Sequence, residues 1–121
     1  MTTWTEQQLT ELDAVGEIRV AGRRDDGTLR PLVIIWHVVV DGVLYARSVR
    51  GGEGRWFRGV EQHWEGAITW RGGDAAVRFA RDADHDPAID AAYRAKYGTG
   101  SAVRAITSAV ATATTLRIDP R

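Results

Sequence analysis

The chain has 121 residues, 44% of them apolar, with sixteen basic and sixteen acidic side chains and no cysteine. That is enough apolar sequence for the packed core of one domain, spanning 1–121. Zero net charge excludes a highly charged disordered chain. The lack of cysteine excludes a disulfide scaffold, a Cys-ligated zinc and a thiol nucleophile.

The first segment reads as a helix. Thr5 stands as N-cap with Gln8 three residues on, a capping box, and Trp4 and Leu9 are spaced for a hydrophobic staple. Leu9, Leu12 and Val15 continue one face, and Gly16 is placed to end it. The first fifteen residues are polar and acidic, without the apolar segment of a secretory signal. Ile18 and Val20 then alternate with charged residues as in a strand, and Asp25-Asp26-Gly27 supplies a turn. Leu32 to Val40 is β-branched and nearly all apolar, the pattern of a strand covered on both faces. It is also the longest apolar stretch, and it falls far short of the ~20 residues of a membrane helix. The expected setting is cytoplasmic, with no membrane partner.

Asp41-Gly42 is a strong hairpin signal, so Val43 to Val49 is expected to pair back on the preceding strand. Trp56, Val60 and Trp64 recur every four residues, predicting a helix over Arg55 to Glu65 ended by Gly66. Ala67 to Arg71 and Ala75 to Arg81 form a second hairpin across Gly72-Gly73-Asp74. Asp86-Pro87 opens a further helix with Ile89, Tyr93 and Tyr97 on its apolar face, and Gly98 closes it. Residues 99–113 fit either a short helix or a mobile segment, and Thr114 to Ile118 reads as a last strand. Short strands joined by tight turns indicate a mainly β (α+β) fold, an antiparallel sheet closed or nearly closed into a barrel with flanking helices.

Chemistry concentrates between Tyr45 and Arg58. A strand, a glycine turn and a helix start coincide there with Arg47, Arg50, Arg55 and Arg58, and Ser48 adds a hydroxyl. Glycines let backbone N–H groups converge, and guanidinium forks bind anions, so a phosphate is the natural guest. The pleat sets residues 45, 47 and 49 on one side and 46, 48 and 50 on the other, so Arg47 and Arg50 cannot both enter one pocket from the strand, and Arg50 must reach from the turn. The competing reading has these arginines solvated and paired with Glu53, Asp74 and Glu61. His37 sits in an apolar strand and reads as a hydrogen-bonded core residue. His63 and His85 lack the short spacing of a metal pair, so no metal is expected. Asp82, Asp84, Asp86 and Asp90 lack the glycine and the terminal Glu of a calcium loop and read as a solvated turn and cap. Trp36 and Trp56 are candidates for an aromatic pocket wall.

Trp36, Asp41-Gly42, Leu44-Tyr45-Ala46-Arg47-Ser48, Gly51-Gly52 and Trp56-Phe57-Arg58 together resemble the FMN-binding split β-barrel superfamily, and within it the deazaflavin-dependent nitroreductases. The chain more closely resembles a family of small proteins with a domain of unknown function. The residues that carry this are the Tyr45–Ser48 strand, the helix start at Trp56, Ala91 to Gly98, and the ending Thr114-Thr115-Leu116-Arg117. The resemblance implies a six-stranded antiparallel split β-barrel that forms a homodimer, with FMN or a deazaflavin nucleotide at the subunit interface. Carried over residue by residue, Arg47, Ser48, Arg50, Gly51, Gly52 and Arg58 would hold the phosphate, and Trp56 would pack nearby. The implied activity is hydride transfer by an oxidoreductase, with no catalytic side chain assigned. Gly54 and Gly59 stand where the nitroreductases have Pro and Asn, which keeps a cofactor-free ligand-binding or interaction module as the alternative. A nucleic-acid partner is not expected from a neutral chain without a reader motif.

Overall fold

A computed structural model describes residues 3–121. The capping box forms as the sequence predicts: Gln8 N–H donates to Thr5 Oγ1 at 3.1 Å and Thr5 N–H to Gln8 Oε1 at 2.9 Å. It opens helix α1, Glu6–Ala14, which ends just before Gly16. The strands are β1 (Ile18–Gly22), β2 (Val33–Ile35), β3 (His37–Val40), β4 (Val43–Ala46), β5 (Glu65–Trp70), β6 (Gly73–Arg81) and β7 (Leu116–Pro120). Helix α2, Arg55–Glu61, lies between β4 and β5 after a 3-10 turn at Gly51–Glu53. Helices α3 (Asp86–Tyr97), α4 (Ser101–Ile106) and α5 (Ala109–Thr112) precede β7. The undecided stretch 99–113 is thus two short helices.

All strand pairs are antiparallel, in the order β2-β1-β5-β6-β7-β4-β3. The two outermost strands, β2 and β3, are consecutive in sequence and separated only by Trp36. The sheet therefore curls into a nearly closed barrel. This accounts for seven strands where six were expected: the predicted strand Leu32 to Val40 is broken at Trp36, its first half pairing with β1 and its second with β4. It is also not covered on both faces, because Leu32, Val33 and Ile34 are exposed. At Asp41-Gly42 the hairpin is as predicted, with φ of 50° and 77°, the two left-handed residues of a type I′ turn. Helix α2 is shorter than predicted. Trp64 keeps the helical spacing but adopts φ 57°, turning the chain into β5, so Gly66 lies within a strand.

Two apolar clusters hold the molecule together. The barrel interior contains Ile18, Val20, Leu44, Ile68, Val77 and Ile118, and Leu12, Phe57 and Val60 from α1 and α2 join it. The second lies outside the barrel wall, where Val38 and Tyr45 pack against Ile89, Tyr93, Ile106 and Ala111 of α3, α4 and α5. The pleat alternation of β4 feeds both, with Leu44 and Ala46 inward and Tyr45 outward.

His37 is fully buried, as expected for a core histidine. Its Nε2 donates to Leu12 O at 2.6 Å, and its Nδ1 has no partner. Lys96 Nζ donates to Leu12 O and His37 O, both at 3.3 Å. Burial, and secondarily the Lys96 charge, push the His37 pKa down from 6.5 to about 4. The unfolded chain therefore takes up this proton first. Stability is complete above the unfolded value of 6.5 and declines as pH falls toward 4, by up to about 1.4 kcal/mol per pH unit. Thermal melts across that window are expected to show the decline, and a His37→Gln variant to flatten it.

Candidate functional site

One large cavity, about 970 Å³, lies between β2, the end of β4 and the start of α2. Its volume is at the upper end of the ~300–1,000 Å³ of small-molecule sites. Leu32 to Trp36 supply an apolar wall, and Val49 and Trp56 also line the cavity. Arg30, Arg47, Arg50 and Arg55 border the cavity, and no acidic residue or histidine does. In a chain of zero net charge this is a local excess of positive charge.

Four predicted site residues, Arg47, Ser48, Arg50 and Trp56, border the cavity. Arg50 is exposed on the turn after β4, and Trp56 is half-buried in the first turn of α2. Ser48 is buried, and its N–H donates to Thr114 Oγ1 at 2.9 Å. Gly54 makes room for the Ser48 hydroxyl, since a Cβ there would overlap it. Gly51, Gly52 and Arg58 do not border the cavity. Gly51, at φ 69°, packs against Val110 of α5, whereas Gly52 and Arg58 are exposed.

Arg47 has a different environment from the one expected. It follows Tyr45 on the outward side of the pleat, so its side chain runs toward α3 and is 1% exposed. Nε donates to Thr115 Oγ1 at 2.9 Å. Nη1 donates to Asp90 Oδ1 at 2.5 Å and Ile106 O at 3.3 Å. Nη2 donates to Asp86 Oδ1 at 3.1 Å and Asp86 O at 3.5 Å. A guanidinium has five N–H donors, and all five have an acceptor here, leaving none for an incoming anion. The ring of Tyr93 lies 5.6 Å away, beside the guanidinium. Asp86 and Asp90, expected in a solvated turn and cap, are thus the partners of a buried charge. The expected partner Glu61 instead pairs with Arg81 at 3.0 Å.

Arg30 was not singled out in the sequence. Its Cδ and Nε lie over Gly59 of α2, where a Cβ would stand 2.7 Å and 3.0 Å from them. Its Nε is buried without a partner, and none of the salt bridges among the described residues includes it. The one available signal was a basic residue directly before Pro31 at the edge of an apolar run. Among the described residues no cluster of three or more His, Asp or Glu is placed to hold a metal ion. Among the described residues no helix is long and apolar enough to cross a membrane.

Comparison with solved structures shows the fold. An F420 reductase superposes with a TM-score of 0.61 at 17% identity, covering 98% of this chain and 96% of that one. An FAD-binding protein from Mesorhizobium loti gives 0.57 at 17% identity, covering 98% and 91%. The heme storage protein HutZ from Vibrio cholerae gives 0.65 at 12% identity, covering 96% and 89%. All share the split-barrel architecture with this chain. No curated protein matches it in sequence. Residues 8–118 match the family described as "Uncharacterized protein conserved in bacteria (DUF2255)", and the chain belongs to that family.

Proposed function

We propose that the cavity binds a flavin- or deazaflavin-type nucleotide and that the protein is an oxidoreductase using it. One observation carries this reading: Arg30, Arg50 and Arg55, none of them in a salt bridge among the described residues, and two tryptophans border a single cavity whose lining holds no carboxylate, in a chain without net charge. Arg50, Arg55 and Arg30 would take the phosphate, with the Ser48 hydroxyl beside them. Arg47 serves as a positioning residue that fixes the end of β4, and Gly51 and Gly52 shape the turn that presents Arg50. Trp56 is a wall for the ring system, and Arg58 stays outside. Such a group supplies hydride or electron transfer when bound. The side chains bind, orient and exclude water. Charge-assisted hydrogen bonds of ~1.5–3 kcal/mol each, from two or three arginines, supply much of the ~8 kcal/mol of micromolar affinity. That an F420 reductase and an FAD-binding protein share the fold supports the reading. The exposed rim of Leu32, Val33, Ile34 and Val49 fits a second copy laid over the cavity in a homodimer.

Titration with FMN and with a deazaflavin nucleotide tests the proposal. Micromolar binding to one of them is expected. Arg50→Ala and Arg55→Ala are each expected to weaken it about tenfold, the equivalent of one lost charge-assisted contact. Absence of binding to both at millimolar concentration overturns it. One observation favours the alternative of a cofactor-free module: Arg47, central to the expected phosphate corner, is fully engaged by α3. Under that reading neither nucleotide binds and the fold is unaffected by the Arg50 and Arg55 variants.

A further inference from the structure

The helix segment Ala91 to Gly98 carries the apolar residues Tyr93 and Tyr97, and the reading of the cavity gives them no role. The structure connects them to the cavity through one side chain, Trp36. Trp36 is the single residue at which the β2–β3 strand breaks. It is half-buried and borders the cavity. Its ring lies parallel to that of Tyr97, with centroids 4.1 Å apart and planes 7° apart. Tyr97 in turn stacks on Tyr93 at 5.9 Å and 30°.

The stack is fixed at several points. The Tyr97 hydroxyl accepts the His37 N–H at 3.1 Å and lies 2.9 Å from His37 O and 3.0 Å from Gly16 O, with one proton to donate. The Tyr93 hydroxyl donates to Trp36 O at 3.3 Å. Both phenols are pushed up in pKa by burial, Tyr97 to about 12, so both hydroxyls stay protonated donors. One face of the indole is therefore covered by a ring that cannot rotate away. No other aromatic ring among the described residues stacks on Trp36.

We infer that Trp36 is the stacking platform for a flat aromatic ligand with an anionic tail, and that Tyr97 is the positioning residue that holds the indole in place for it. This rests on the binding reading of the cavity and deepens it. A flat ring laid on the indole face that Tyr97 leaves uncovered adds one more layer to a stack that the protein already holds, so no ordering cost remains for Trp36. The arginines along the same cavity set the sign of the tail.

The test uses the full chain with two probes, FMN and the flat anion pyrenesulfonate. Stacking on an indole quenches the emission of both partners. Wild type is expected to quench each probe that binds. Trp36→Leu is expected to abolish the quenching and weaken binding about tenfold. Tyr97→Leu is expected to reduce the quenching amplitude of bound probe, and Tyr97→Phe, which keeps the ring, to restore it. A merely structural role for Tyr97 would change melting temperature in both variants and leave that amplitude alone. If pyrenesulfonate binds with Trp36-dependent quenching but neither FMN nor a deazaflavin nucleotide binds, the platform stands and the nucleotide reading falls. If bound probe is quenched equally in wild type and Trp36→Leu, or if no flat anion binds, the inference is overturned.

Discussion

Replacing Asp86 and Asp90 together by alanine is expected to destabilise the fold more than replacing the arginine they hold by methionine. The asymmetry follows from burial. The Arg47 side chain is 0% exposed, whereas Asp86 and Asp90 are 22% and 25% exposed. Without the carboxylates, a guanidinium stays in the interior with only Thr115 and two carbonyls around it. An uncompensated buried charge costs about 3–5 kcal/mol, against a total of about 5–15 kcal/mol for a typical domain. Arg47→Met leaves two acids that can turn toward water, and its side chain still fills the space beside Tyr93, so its cost is smaller. The triple variant with Met at 47 and Ala at 86 and 90 is expected to recover most of the loss, because no charge then remains buried. Urea unfolding midpoints of the four proteins decide the matter. A double-aspartate variant at least as stable as Arg47→Met would show that the burial asymmetry does not govern this network.

Gly22→Ala is the second large effect. Gly22 on β1 is paired with Gly66 on β5 and has its other side against α2. A Cβ at Gly22 would stand 2.8 Å from Gly59 O, 2.9 Å from Gly59 C and 2.9 Å from Val60 N. All three are backbone atoms, so no rotamer change relieves the contact. Helix α2 must lift from the barrel, separating Phe57 and Val60 from the core they cover. Overpacking of this kind costs about 1–3 kcal/mol, occasionally more. The same shift moves Arg55 and Trp56 at the cavity border. Lowered melting temperature and altered tryptophan emission are both expected. Gly16→Ala, where a Cβ meets nothing within 4 Å, is the control and is expected to be neutral.

The parts of the fold that the sequence revealed are those whose cause is local. The capping box at Thr5 and Gln8 needs four residues, and the Asp41-Gly42 turn needs two. The barrel class followed from several such signals in series. What stayed hidden depends on partners far along the chain. Nothing near Leu32 to Val40 says that Trp36 will stack on Tyr97, so the break in that strand and the exposure of its first half were not legible. Arg47 sits in a motif that suggests an anion site, yet its partners come from α3. The i, i+4 spacing of Asp86 and Asp90 on one helix face was the available clue. Arg30 shows no pattern beyond its position before Pro31, and its place in the cavity follows from the space above Gly59. Trp64 obeyed the helical period while the backbone turned away, because periodicity reports which faces are apolar and not where a helix stops.

The position of β7 has a bearing on how the molecule is made. Among the described residues this strand is the last element in sequence, yet it lies between β4 and β6 and pairs with both. During synthesis every other strand leaves the ribosome first, and until Leu116–Pro120 follows, β4 and β6 each present an unpaired border to the cell. Barrel closure thus waits for β7 to emerge, and a nascent chain held up before it would be a ready client for chaperones that guard open sheets.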